Sequence, residues 1–76
     1  MLCQSCEKPK SQVFSKNSNI IDSIGLVLCQ SCIDAKYEPR WVIILAGRSN
    51  GPESVRNYIN GRRYIGKEIT ASELIV

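Results

Sequence analysis

Cys3-Gln4-Ser5-Cys6 and Cys29-Gln30-Ser31-Cys32 hold all four cysteines of this 76-residue chain in two copies of one tetrapeptide. A Cys-x-x-Cys turn sets two sulfurs at adjacent corners of a tetrahedron, and a second such turn supplies the other two corners. That is the coordination zinc prefers, with thiolate donors. The 22 residues between Cys6 and Cys29 suffice for a β-hairpin that brings the pairs together. The competing readings are a redox dithiol and a pair of disulfides. A dithiol explains one tetrapeptide but not its duplicate, and Cys3 lacks the preceding strand that such motifs follow. The expected cofactor is one structural Zn²⁺ held by Cys3, Cys6, Cys29 and Cys32. Iron in a sulfur-only site is the alternative metal.

The size of the chain makes such a staple necessary. A domain this small buries too little of its surface to offset chain ordering by a wide margin, so it commonly adds a metal, a disulfide or a partner. No charged region followed by an apolar stretch opens the sequence, and the longest apolar run, Trp41 to Ala46, is too short to span a bilayer. A reducing, cytoplasmic setting without membrane attachment is therefore expected. Histidine is absent, which excludes zinc sites completed by imidazole and removes the commonest general acid–base group. With no nucleophile–base pair, no paired carboxylates and no cofactor motif, neither an enzyme nor a small-molecule substrate is expected.

The positive charge lies in the second half. Residues 1–38 balance four lysines with four carboxylates, whereas residues 39–76 set six cations against three glutamates. Four thiolates and one Zn²⁺ lower the formal +3 to about +1.

Gln12 to Ser15 alternates weakly, Lys16 to Asn19 is turn-like, and Ile20-Ile21 with Ile24 to Leu28 reads as the returning strand. Ile33 to Glu38 has helix formers until Pro39, which marks a boundary between a four-cysteine zinc-binding module (1–38) and a small α/β unit (39–76) packed with it as one compact domain. Trp41 to Ala46 is β-branched and aromatic and predicts a strand; Gly47 to Gly51 predicts a loop. Pro52 opens an amphipathic helix over 52–60, with Val55, Tyr58 and Ile59 on one face and Gly61 as its stop. Residues 62–69 read as extended, and Thr70-Ala71-Ser72-Glu73 has the capping-box pattern. The expected class is α+β, a small zinc finger packed on a strand–helix–strand unit.

Leu2-Cys3-Gln4-Ser5-Cys6 with Pro9, a hairpin-like middle, and Gly25-Leu26-Val27-Leu28-Cys29-Gln30-Ser31-Cys32-Ile33-Asp34-Ala35 together resemble treble-clef zinc fingers. The stretch is most similar to the four-cysteine modules at the N-terminus of the ClpX unfoldase and in the McsA family. The resemblance covers residues 1–38. It implies that Cys3 and Cys6 lie on a knuckle, that Cys29 and Cys32 open a helix, and that the module mediates protein–protein contact. The second half departs from that pattern.

Arg48, Arg56, Arg62, Arg63, Tyr64 and Lys67 have the residue types of a nucleic-acid surface, because guanidinium forks bind phosphate and tyrosine stacks on bases. The plain alternative is solvated surface charge. Gly47 to Pro52 has the outline of an anion-binding turn but no P-loop or dinucleotide pattern, so a connecting loop is expected. The leading expectation is a non-enzymatic regulator that binds nucleic acid or a nucleoprotein assembly through this half. A protein adaptor or inhibitor is the alternative, and a zinc-linked thiol switch the third.

Overall fold

A computed structural model describes residues 1–74. A knuckle closed by the Leu2↔Pro9 bridge leads into an antiparallel hairpin, β1 (Phe14–Asn17) and β2 (Gly25–Leu28). A short helix α1 (Gln30–Asp34) follows, then the main helix α2 (Arg40–Asn50). A 3₁₀ turn (Pro52–Val55) runs into α3 (Arg56–Asn60), and a final 3₁₀ turn covers Ala71–Leu74. The class is α+β. Among the described residues no helix is long and apolar enough to cross a membrane.

The hairpin forms where alternation demands it. Leu26 and Leu28 are buried while Gly25 and Val27 face outward, the period-2 signature of a half-buried strand. The turn is longer than expected: Lys16 and Asn17 belong to β1, and Ile20 and Ile21 lie in the connection, whose ends meet through Ser18 N–H to Ile24 C=O (2.9 Å). Helix α1 likewise starts earlier than Ile33, so that Cys32 sits within it and Cys29 is its N-cap.

The largest correction concerns residues 41–46, which form the body of α2 and not a strand. Val42, Ile43, Ala46 and Gly47 are buried, whereas Trp41, Leu45 and Arg48 are exposed. Those two sets are one helix's inner and outer faces. The β-branched residues favour a strand locally, but a strand would carry neighbours 42 and 43 to opposite faces, and both are needed inside. Packing overrides propensity here. The 47–51 loop consequently shrinks to Gly51, whose φ of +95° with ψ of 152° lies in a region open essentially only to glycine. Gly47 is instead a contact point. A Cβ there would lie 2.7 Å from Leu74 Cδ2 and 3.3 Å from Val55 Cγ2, so the bare backbone lets those side chains approach the helix. Residues 62–69 form no strand, and the expected strand–helix–strand unit is a helical hairpin with irregular flanks. Helix α3 ends at Asn60 with Gly61 as its C-cap, the expected stop, and the chain then leaves through Arg62 in the left-handed region (φ 48°).

Helix α2 is the shared wall of two apolar clusters. Val42 joins Leu26, Leu28 and the buried cysteines; Ile43 and Ala46 join Val55, Tyr64, Ile69 and Leu74. Polar ties close the second cluster. Arg40 at the start of α2 donates to the carbonyls of Lys67 (2.7 Å) and Glu68 (3.4 Å) and forks onto the Glu73 carboxylate (2.6 and 2.7 Å). The expected capping box is half realised: Glu73 accepts the Thr70 N–H (3.1 Å), while the Thr70 hydroxyl pairs with Ser72.

A buried carboxylate joins the halves. Glu38 is fully buried, accepts the Ser18 hydroxyl and the Asn19 N–H (3.2 Å), and through its own N–H bonds to the Arg63 carbonyl (3.0 Å). Ser18 in turn accepts the N–H groups of Ile20 (3.0 Å) and Ile21 (3.1 Å), so one side chain organises the hairpin loop. Glu38→Ala strips two donors of their acceptor in a dry site and is expected to cost about 2–4 kcal/mol. Urea unfolding checks this, and a loss under about 1 kcal/mol would contradict it.

The Arg40 fork, its largest effect, with help from the Thr70 amide, holds the Glu73 carboxyl below its ordinary value of 4.5. A depressed carboxylate stabilises the fold above its unfolded pKa and ceases to do so as pH falls through the folded one. The stability gap between the wild type and Glu73→Gln is therefore expected to close on acidification below about pH 4.5. A gap that persists at lower pH would show that the ion pair is not its source.

Candidate metal centre

The knuckle and α1 bring Cys3, Cys6, Cys29 and Cys32 together, with every Sγ within 4.8 Å of the others. A tetrahedral zinc–thiolate site with bonds of about 2.3 Å has edges of roughly 3.8 Å. The Cys3 Sγ–Cys32 Sγ separation is 3.7 Å. All four are free cysteines, grouped so that they could hold a metal ion. Cys3, Cys29 and Cys32 are buried and Cys6 is partly exposed.

Local backbone geometry aims donors at the sulfurs. Glu7 adopts φ 59° and returns its N–H to the Cys3 carbonyl (2.8 Å), tightening the knuckle. The Cys29 N–H, at the start of α1, points at Cys3 Sγ (3.3 Å). Burial by itself raises the Cys3 thiol, but the amides of Cys6, Cys29 and Ser5 outweigh it and bring it down to about 6. Cys32 goes the other way. Burial pushes its thiol up to about 12, reinforced by Cys29 and Cys3 and opposed by the Ser5 hydroxyl. Four thiolates this close together repel one another unless a counter-charge lies between them. A divalent ion removes that conflict. The donor set, the edge length and the amide-to-sulfur contacts all fit zinc, and four thiolates leave no open position for water or substrate.

The duplicated tetrapeptide does two different jobs. In the first copy, Gln4 docks on the outer edge of β2: its backbone N–H donates to the Val27 carbonyl (2.9 Å) and its Oε1 accepts the Val27 N–H (2.7 Å). Ser5 is buried beneath the knuckle. In the second copy, Gln30 reaches only Asp34 one turn along α1 (2.8 Å), and Ser31 is exposed. Sequence reasoning missed Gln4 and Ser5 because the two copies are identical; only the turn-versus-helix setting separates them.

The expected nucleic-acid residues are dispersed. Arg48 donates Nε to the Glu73 carbonyl (2.7 Å), and Arg56 pairs with Glu53. Tyr64 is only 3% exposed and its hydroxyl accepts the Ile69 N–H (3.1 Å), so its ring is core and has no face for a base. Of the six, only Arg62 and Tyr64 meet, the guanidinium lying 5.5 Å over the ring. Arg62, Arg63 and Lys67 are exposed and, among the described residues, in no ion pair.

One further feature was not expected. Beside the knuckle, Trp41 and Ile44 of α2 and Ile65 line a groove of about 280 Å³, with Ser5, Glu7 and Lys67 at its edges. Trp41 is 47% exposed and Leu45, one turn along the same face, 43%.

Removing the metal is expected to unfold at least residues 1–38, because the metal-binding free energy of such modules, on the order of 10 kcal/mol, is folding free energy. The sulfurs also belong to the cluster that holds Val42, so helix α2 should loosen with them. Circular dichroism during chelation checks this; an unchanged spectrum after complete metal removal would refute it. No protein-family model, no curated protein and no solved structure matches this chain.

Proposed function

We propose that this chain is a non-enzymatic binding module, held together by one structural Zn²⁺ in a treble-clef-like four-cysteine site, that docks an acidic protein segment through the Trp41 groove. The groove carries the reading: an exposed tryptophan with Ile44, Leu45 and Ile65 beside it is a large apolar surface for so small a chain. Its volume suits one inserted side chain and falls below the size of most small-molecule pockets. The charge nearby selects the partner. Lys67 at the edge, with Arg62 and Arg63 a few residues before it in the chain, is unpaired among the described residues, Arg40 is already neutralised by Glu73, and Glu7 is the one carboxylate in the lining. An apolar anchor flanked by Asp or Glu complements that surface. This agrees with the protein–protein role that the resemblance of residues 1–38 implies.

Nucleic acid is the second reading, supported by the same three unpaired cations. It loses ground because Arg48 and Arg56 are engaged and Tyr64 is buried.

The two readings separate in one experiment. Trp41 is the single tryptophan, so its fluorescence reports occupancy of the groove directly. Zinc-loaded protein is presented with a displayed peptide library and, separately, with random-sequence DNA and RNA oligonucleotides. The expected result is peptides sharing an apolar anchor with acidic flanks, a Trp41 emission shift on binding, and at least a roughly tenfold loss in Trp41→Ala, the cost of a lost hot-spot anchor. Oligonucleotide binding that weakens steeply with salt, disappears in Arg62→Ala/Arg63→Ala and survives Trp41→Ala would instead establish the nucleic-acid reading. Concentration-dependent dimerisation abolished by Trp41→Ala would make a second copy the occupant.

A further inference from the structure

Val27 turns both its N–H and its C=O away from β1, because both are taken by Gln4. In the register of the hairpin Val27 stands opposite Ser15. The two are therefore a non-hydrogen-bonded pair, and Ser15 turns both of its backbone groups outward on the other side of the sheet. Asn17, opposite Gly25, does the same, while Ser18 turns back inward to Ile24. Among the described residues no backbone group donates to or accepts from the outward groups of Ser15 and Asn17. The two edges of the sheet thus differ: Gln4 fills the outer row of β2, and the outer row of β1 is open. No proline or glycine breaks that row, and Phe14, Ser15 and Asn17 are exposed along it.

We propose that this open edge docks an extended, acidic protein segment, which adds to β1 as an antiparallel third strand. Strand addition draws its affinity from main-chain hydrogen bonds, here at Ser15 and Asn17, and its selectivity from the side chains between them. On the outer side Phe14 and Lys16 occupy the non-hydrogen-bonded sites, where cross-strand side chains stand closest. Phe14 is 37% exposed and is complemented by an aromatic neighbour. Lys16 is in no ion pair among the described residues, its Nζ donating to Asn19 Oδ1 (3.1 Å), and is complemented by a carboxylate. Residues 8–17 hold three lysines and no acidic side chain, so the approach to the edge is positive. That charge selects an acidic strand. It works against a second copy, whose own Lys16 would lie opposite this one if Ser15 paired with Asn17 of the copy. Along its own direction the guest strand carries an acidic residue and, two places later, an aromatic one. The edge shares no residue with the Trp41 groove.

The test is an NMR titration of the full, zinc-loaded chain with the capped peptide Thr-Glu-Thr-Phe-Thr, whose Glu falls beside Lys16 and whose Phe falls beside Phe14. The Ser15 and Asn17 amides are expected to shift and to exchange more slowly with solvent as peptide is added. Methylating the backbone nitrogen of the central Thr, which faces Ser15, should abolish binding. Methylating that of the Glu, which points away from β1, should leave it intact. Exchanging the Glu for Lys should weaken binding roughly fivefold, and Lys16→Glu in the protein should reverse that preference. The peptide changes need no altered protein, so they decide the matter even if the Lys16 variant does not fold. Unchanged Ser15 and Asn17 amides, equal effects of the two methylations, or shifts confined to Trp41 and its neighbours would each overturn the proposal. Protection of the same amides that rises with protein concentration in the absence of peptide overturns it as well, because the occupant is then a second copy.

Discussion

Four sulfurs packed within contact of one another set a problem of charge before they set one of geometry. Each is a good metal ligand only as a thiolate, and four thiolates in a shielded pocket repel one another. Cys3 and Cys32 are displaced in opposite directions, Cys3 downward by the amides that face it and Cys32 upward, first by burial and then by its sulfur neighbours. A divalent cation turns the repulsion into cohesion, and the rest of the structure is arranged around the place where this happens. The hairpin buries Leu26 and Leu28 against the sulfurs, and Val42 of α2 closes the same cluster.

The second half is attached to that centre by two devices of different kind. One is apolar, the double-sided helix α2, which serves both clusters at once. The other is polar, the buried Glu38, which holds the hairpin loop by its side chain and the Arg63 region by its backbone. Neither half has the size to stand apart from the other. One of the arginines that looked like a contact surface is a means of attachment: Arg48, like Arg40, spends its donor on the segment 67–73.

The clustering of the four cysteines was legible because their spacing points to it; two Cys-x-x-Cys pairs suit few other arrangements. The hairpin was legible in outline, since alternation at 25–28 is unambiguous, but its turn was misplaced because Ile20 and Ile21 look like strand and are held in a loop by Ser18 and Glu38. The misreading of 41–46 has a sharper cause. Six apolar residues in a row carry no periodicity, and length arbitrates only if the run is followed further. Continued through Ala46, Gly47 and Arg48, the pattern becomes helical, but Gly47 looks like a breaker until Leu74 and Val55 are seen against it. Ser5 and Glu38 were invisible for a different reason: a buried polar residue is defined by what surrounds it, and nothing local distinguishes Ser5 from Ser31.

The docking of Gln4 on β2 has a consequence for solubility. A two-stranded sheet exposes a row of unpaired amides and carbonyls along each outer edge, and such edges recruit strands from other molecules. Gln4 occupies both backbone groups of Val27 and so plugs one of the two rows with a backbone amide and a side-chain oxygen. The plug is carried by the knuckle, and the knuckle is set by the sulfurs on either side of it. Any local loosening of the knuckle that left the hairpin intact would therefore uncover that edge, so the turn that groups the sulfurs is also a guard against strand addition.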